Sequence, residues 1–393
     1  MRVTVTALAL AAGLSALSVS SGFLAQAPSS FVGKWEITGT GPDAKAIFFL
    51  DVVDKGDHLE AKFLDRSAHA TPVPWIRVEN GELVWQKGNA LDTLPKPSCG
   101  PVYRAKLEGG KLIGSHVEPG EPCPSNRAGG AGAGAARGEG RGGAAPAPAA
   151  NPTAAATPAP VAAPAPAKAP PTPRTLNWVG VRQPSFPAAN ANGNHTYGKA
   201  VVIVGPGVGK DTWSGLTPET WQNRCEDRWT VTDGTLKNEV APQGQTPTCN
   251  IYTKDTWQDF KAEMDFVLDL NQNSGFYLRG RHELQLQVMN DPAQWGQSTY
   301  PGQLMDIYGW KRADVYAGNP AGELQQLSVV MVANKLTATL NGKKVHDNAT
   351  VYAWTGGALD NKEDTPGPIM IQGDHSRVTV KKLVVTPITK AGM

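Results

Sequence analysis

Between Asn126 and Arg174 the chain reads RAGGAGAGAARGEGRGGAAPAPAANPTAAATPAPVAAPAPAKAPPTPR, a tract with almost no large apolar side chain. Such a segment cannot bury enough surface to offset the entropy of ordering it. Any fold must therefore form on either side. The Gly-rich half predicts a flexible tether and the Ala-Pro half a stiffer spacer. The tract divides the chain into an N-terminal leader (1–27), a small domain (28–125), the linker (126–174) and a larger domain (175–393). A length of 393 residues and 40% hydrophobic content suffice for two real cores.

Both sides of the linker are written in β-period. The runs GKWEITG, AIFFLDVV, HLEAKFLD, VPWIRVENGELVWQ and VYRAKLEGGKLIGSHV precede it. RWTVTDGTL, DFKAEMDFVLDL, SGFYLRG, HELQLQVM, LQQLSVVMVANKLTATLNGKKVHD, GPIMIQG and SRVTVKKLVVTPI follow it. Many alternate apolar and polar residues in period two, as half-buried strands do. Asn80-Gly81, Gly109-Gly110, Asp233-Gly234 and Asn341-Gly342 are hairpin turns, since both central residues of a type I′ turn need positive φ. No amphipathic helix of any length is present. The expectation is an all-β protein: a C-terminal antiparallel sandwich and a small N-terminal β-meander or lipocalin-like barrel. Gly33-Lys34-Trp35 resembles the Gly-x-Trp opening of lipocalin-like barrels. Its Trp either fills a small core or lines a ligand pocket.

The opening thirty residues, MRVTVTALALAAGLSALSVSSGFLAQAPSS, carry one Arg, an apolar run too short to span a bilayer securely, and a cleavage-like Ala25-Gln26-Ala27. They predict export, to a secreted or periplasmic location. No second run of about 18 apolar residues occurs, so no membrane span is expected once the leader is removed. The formal net charge of +2 gives no reason to expect nucleic acid as a partner. The four cysteines form two local pairs on either side of the linker. In an oxidising compartment, Cys99 with Cys123 and Cys225 with Cys249 is the favoured pairing of the three possible, because it needs no contact between domains. No pair has the short Cys-x-x-Cys spacing of a zinc site.

VVIVGPGVGKDTWSGLTPE, Val201 to Glu219, imitates a phosphate-binding loop. The chemistry fails at three points. Val204 stands where the first glycine is needed, and Asp211 replaces the hydroxyl that would reach magnesium. Gly215 and Pro218 fall where the helix should start. The segment is read as a strand entering a glycine-rich loop, with no nucleotide bound.

Alternation in NSGFYLRGRHELQLQV, Asn273 to Val288, puts Phe276, Leu278, Leu284, Leu286 and Val288 on one face. Tyr277, Arg279, Glu283, Gln285 and Gln287 fall on the other, and His282 joins the opposite, structural side. This polar row is either a solvated outer face or a ligand surface. Trp295, Tyr300, Tyr308 and Trp310 follow in a glycine-rich region. Aromatic faces and planar polar groups together suit sugar rings, which are apolar on their C–H face and hydroxylated at the rim.

With RWTVTDGTL, LTATLNGKKVHDN and TGGALDNKEDTPGPIMIQGDHSRVTVKKLVVTPI, this segment resembles the 3-keto-disaccharide hydrolase domain family over about Thr196 to Ile388. The early GKDTWSG resembles that family's Gly-Lys-Asp-Leu-x-x-Trp turn. Two departures stand out: Asp374-His375-Ser376 where DHG is frequent, and Lys381-Lys382 where an Arg-Asn pair is frequent. The resemblance implies a concanavalin-like jelly-roll, mostly exported bacterial members, and an oligosaccharide or glycoside substrate. Where glucanases of this fold place two carboxylates on one strand, HELQLQV offers Glu283, then Gln285 and Gln287. A 3-keto sugar needs only one base, because the ketone acidifies the hydrogen on carbon 2 and the aglycone leaves by β-elimination. The resemblance then assigns the base to Glu283 or His375, and stabilisation of the carbonyl oxygen to Arg279. Gln285 and Gln372 orient hydroxyls, while Tyr277, Gln287, Tyr308 and Trp310 complete the substrate surface. Asp374 orients His375 or holds one divalent metal. A sugar 3-oxidoreductase acting upstream would supply the ketone. Two other readings share these residues: a glycan-binding, lectin-like module without turnover, and a structural envelope protein.

Overall fold

The structure is a computed structural model describing residues 27–66, 69–87, 100–118, 172–213, 229–238, 250–270, 272–289, 291–298, 300–373 and 376–392. The leader up to residue 26, the tract 119–171, all four cysteines, Asp374 and His375 lie outside the described residues. Among those described, the chain is all-β, with short 3₁₀ turns as its helical elements.

The first sheet contains β1 (Gly33–Gly39), β2 (Ile47–Asp54), β3 (Leu59–Asp65), β4 (Thr71–Pro72), β5 (Ile76–Glu79), β6 (Glu82–Gln86), β7 (Val102–Glu108) and β8 (Lys111–Glu118). Its ninth strand is β9 (Arg174–Arg182), which enters between β1 and β8. The strands run in the order β4-β3-β2-β1-β9-β8-β7-β6-β5, an antiparallel meander. Its two ends are drawn together by the connector 73–75, where Val73 N–H donates to Ala61 O and Gln86 N–H to Trp75 O. The sheet thus curls into a barrel around one core that includes Trp35, Phe48, Phe63, Trp85, Tyr103 and Trp178. Burying each such side chain contributes about 1.5–3 kcal/mol.

The position of β9 corrects the expected boundary. The strand lies beyond the linker and completes the first sheet, with Ile37 opposite Gly180 on one side and Leu112 opposite Gly180 on the other. Gly180 is needed here because a Cβ would come within 3.1 Å of Leu112 and 3.2 Å of Ile37. The second domain therefore starts after Arg182 rather than at Thr175, and the Ala/Pro/Gly tract is a long excursion inside the first domain's topology.

The second domain is an antiparallel β-sandwich. Its larger sheet holds β10 (Thr196–Tyr197), β11 (Val201–Val204), β12 (Trp229–Thr232), β13 (Thr235–Asn238) and β15 (Phe260–Val267). It also holds β18 (Leu324–Val332), β19 (Lys335–Leu340), β20 (Lys343–Thr350) and β22 (Thr379–Lys390). The smaller sheet contains β14 (Ile251–Tyr252), β16 (Ser274–Leu278), β17 (His282–Leu286) and β21 (Met370–Ile371), in the order β14-β21-β16-β17. Period two is kept where expected. Along β15, Phe260, Ala262, Met264 and Phe266 are buried while Lys261, Glu263 and Asp265 are partly exposed. All four forecast turns place both residues at positive φ, for example Asn341 at 49° and Gly342 at 79°. After β11 the described chain enters a 3₁₀ turn at Lys210–Thr212, not the helix a phosphate site requires.

The domains are joined through a small apolar cluster of Ile47, Phe49 and Leu64 from the barrel with Ala353, Trp354 and Ala358 from the sandwich. Polar links surround it. Trp354 Nε1 donates to Glu36 Oε2 at 2.9 Å and Asn361 Nδ2 to Thr38 Oγ1 at 3.0 Å.

Candidate functional site

The hairpin β16–β17 pairs Tyr277 with Glu283 and Gly275 with Gln285. Phe276, Leu278, Leu284 and Leu286 enter the sandwich core, as alternation requires. The polar residues therefore stand on the opposite face of the smaller sheet. That face is covered: Tyr277 is 1% exposed, Glu283 2% and Gln285 3%. A solvated outer face is thereby excluded, because a carboxyl is withdrawn from water only where something compensates it.

Three features hold Glu283 in place. Its carboxyl lies over Gly275, where a Cβ would come within 2.2 Å of Oε1. Tyr277 Oη lies 2.8 Å from Glu283 Oε2. Its backbone is fixed on both sides, with Glu283 N–H donating to Thr355 Oγ1 at 3.0 Å and Tyr308 N–H donating to Glu283 O at 3.1 Å. Tyr277 is in turn set by Gly356 O at 2.8 Å and by Gly357, whose Cβ would lie 2.6 Å from the phenol oxygen. With φ at +79°, Gly357 satisfies two demands at once.

Beside this pair, Gln285 Nε2 donates to Asn273 Oδ1 at 2.7 Å. Gln372 donates its backbone N–H to Gly275 O at 2.9 Å, while its buried side-chain Oε1 has no donor among the described residues. Glu283, Tyr277, Gln285 and Gln372 are thus gathered on one face. Gln287 lies beyond β17 and is half-buried.

Arg279 goes elsewhere. It takes positive φ, 54°, at the β16–β17 turn, and its side chain points away from Glu283. Nε donates to Gln258 O at 2.6 Å and Nη2 pairs with Asp259 Oδ1 at 3.2 Å. Burial lowers its pKa to about 10 against the pull of Asp259. Neither the expected stabilising role at the site nor pairing with Glu283 fits this placement. His282 is buried on the structural side, where burial pushes its pKa down to about 3 and leaves it neutral, with Nδ1 3.3 Å from Ala353 O.

The aromatic expectation divides in the same way. Trp310 packs edge-on against Phe49 of the barrel at 5.5 Å and donates from Nε1 to Trp354 O at 2.9 Å, so it seals the domain junction. Tyr308 stays at the site, edge-on to Tyr300 at 6.1 Å. Asp306, which sequence reasoning missed, sets this loop. Its buried carboxylate accepts from Gly302 N, Gln303 N and Ala313 N at 2.8–2.9 Å. Desolvation raises its pKa. Among the described residues no group of three His, Cys, Asp or Glu side chains gathers at metal-binding spacing. Because Asp374 lies outside them, no step is assigned to a metal.

The site thus gathers a buried acid, a phenol and amides on one sheet face of a β-sandwich, flanked by tyrosines. Residues 208–386 match the family model of the 3-keto-alpha-glucoside-1,2-lyase-like domain. The match falls inside the stretch expected from the sequence. No curated protein matches the chain. Among solved structures, a Parabacteroides distasonis ATCC 8503 protein provisionally named a glycosyl hydrolase is 20% identical, with 48% of this chain and 84% of that chain covered and a TM-score of 0.37. The kappa-carrageenase of Pseudoalteromonas carrageenovora is 10% identical, covering 48% and 95%, with a TM-score of 0.32. A Bacillus licheniformis beta-glucanase is 11% identical, covering 48% and 98%, with a TM-score of 0.30.

Proposed function

We propose that this chain cleaves the glycosidic bond of 3-keto-glycosides by removing the proton on carbon 2 and eliminating the group on carbon 1. The observation that carries the reading is the single carboxyl of Glu283, held over Gly275 by Tyr277, on a strand face whose next two positions are Gln285 and Gln287. Double displacement needs a second carboxylate about 5–5.5 Å away; this strand supplies amides instead. Elimination from a ketone needs one base and one group to receive charge at the carbonyl oxygen.

Glu283 takes the carbon-2 proton, and the electron pair forms the enolate with the carbon-3 oxygen. The ketone then re-forms as a carbon 1–carbon 2 double bond appears. The carbon 1–oxygen bond breaks, and the departing oxygen takes the pair and a proton. Water adds across the double bond to release the 3-keto sugar. Gln285 and Gln372 hold ring hydroxyls, and Tyr308 lines the sugar face. Native glycans lack the ketone, so an oxidoreductase acting on carbon 3 must supply the substrate. Export by the leader would place this chain outside the cytoplasm, where the keto substrate must reach it.

The test compares kcat/KM of the full chain on a 3-keto-glucoside and on the unoxidised glucoside. Glu283→Gln is expected to lower kcat/KM for the keto substrate by at least about 100-fold. Full activity in Glu283→Gln, with loss in His375→Ala, would transfer the base to His375. Saturable binding of the glycan with no release from either substrate would make the domain lectin-like.

A further inference from the structure

Elimination calls for a cation at the enolate oxygen, and the two arginines of the β16–β17 hairpin are engaged elsewhere. Arg279 is held by Gln258 and Asp259, and Arg281 by Asp360 Oδ1 at 2.5 Å and by Thr365 O at 2.9 Å. Both guanidinium groups on the hairpin are thus tied into the loops beneath it. The barrel brings a third. Arg66 directly follows β3, whose last residue, Asp65, is ion-paired with Lys87. The Arg66 carbonyl accepts from Gly357 N at 2.8 Å, one residue from the carbonyl that meets Tyr277.

The Arg66 side chain is poised and incompletely used. Nη2 donates to Leu359 O at 3.1 Å, while Nε is buried with no acceptor among the described residues. Burial lowers its pKa, opposed by nearby Asp360 and Tyr277. A buried N–H without an acceptor is costly and is retained where something else fills it. Three residues on, His69 of the barrel stacks on Tyr300 at 3.8 Å and 6°, and stands edge-on to Tyr308 at 6.2 Å. Gly309 permits this approach, since a Cβ there would lie 2.8 Å from that of His69.

We propose that the N-terminal barrel completes the active site, with Arg66 supplying the positive charge that receives the enolate oxygen and His69 fixing the tyrosine wall of the sugar site. The proposal rests on the elimination reading. As carbon 2 loses its proton to Glu283, charge moves to the carbon-3 oxygen, where Arg66 meets it. As the carbon 1–oxygen bond breaks, that charge leaves with the aglycone oxygen, which is then protonated. On this reading the reaction draws one group from outside the family domain.

Turnover of a 3-keto-glucoside by the full chain is measured for wild type, Arg66→Ala and Arg66→Lys, together with the melting temperature. Arg66→Ala is expected to lower kcat by about 100-fold. Arg66→Lys keeps an intermediate rate, and added millimolar guanidinium ion restores part of the Arg66→Ala activity. Wild-type kcat in Arg66→Ala overturns the proposal alone. So does equal loss in both variants without guanidinium rescue, which marks a purely structural arginine. A wild-type chain that leaves the keto substrate intact overturns the elimination reading, and the role of Arg66 falls with it.

Discussion

Tyr277 and Glu283 face each other across β16 and β17, with Oη 2.8 Å from Oε2, and the same hydroxyl lies 2.8 Å from Gly356 O. A phenol has one proton to donate. With Glu283 charged, that proton points to the carboxylate. Once Glu283 has taken a proton from substrate, it can donate to Oη, and Tyr277 turns its own proton to Gly356 O. The pair therefore accommodates both protonation states of the base without moving heavy atoms.

Removing that hydroxyl should slow chemistry more than binding. Tyr277→Phe loses a hydrogen bond to a charged group, worth about 1.5–3 kcal/mol, so kcat is expected to fall about 10- to 100-fold while KM changes little. Steady-state kinetics on the keto substrate check this. A raised KM with unaltered kcat would place Tyr277 in binding alone.

Glu36 of the barrel and Glu363 of the sandwich form a second buried acid pair, at the domain junction. They are 3% and 1% exposed. Neither Oε1 has a hydrogen-bond partner among the described residues, and the charge of Glu363 opposes ionisation of Glu36. Burial raises both pKa values above the ordinary carboxylate range, Glu363 to about 7. A raised folded-state pKa contributes stability that is complete below the unfolded value of about 4.5 and is lost as pH climbs through about 7. The melting temperature should fall between about pH 5 and pH 8. Glu363→Gln should flatten that slope by removing the carboxyl that titrates near pH 7. An unchanged slope in the variant would show that Glu363 does not govern it.

Asp259 should prove structural. It pairs with buried Arg279 at 3.2 Å and accepts from Ala333 N at 2.9 Å. Asp259→Ala leaves the buried guanidinium with carbonyl partners only, and because Asp259 itself is partly exposed the loss is expected at about 1–3 kcal/mol. Denaturant unfolding of the full chain is the check. A loss below about 0.5 kcal/mol would show that Gln258 and Glu363 carbonyls alone suffice for Arg279.

How much of this was written in the sequence depends on range. Alternation and Asn-Gly, Gly-Gly and Asp-Gly turns are local, and they placed the strands, the hairpins and the face shared by Tyr277, Glu283 and Gln285. Gly275 was also readable in principle, as a strand glycine next to a same-face acid. Long-range closure was not. Nothing local says that Arg174–Arg182 returns across a low-complexity tract to pair with β1 and β8. Arg279 has the alternation of a site residue, yet a positive φ at the turn swings it toward Asp259. Trp310 has the composition of a sugar platform, but Phe49, far away in sequence, takes its ring edge. Arg66 and His69 reach the site only because one domain docks on the other.

The central claim is tested most directly with a 3-keto-glucoside carrying deuterium at carbon 2. The full chain should release aglycone from the keto substrate but not from the unoxidised glucoside, more slowly from the deuterated compound, and hardly at all in Glu283→Gln. Equal rates for protiated and deuterated substrate in a chemistry-limited assay, or comparable release from the unoxidised glucoside, would contradict proton abstraction by Glu283.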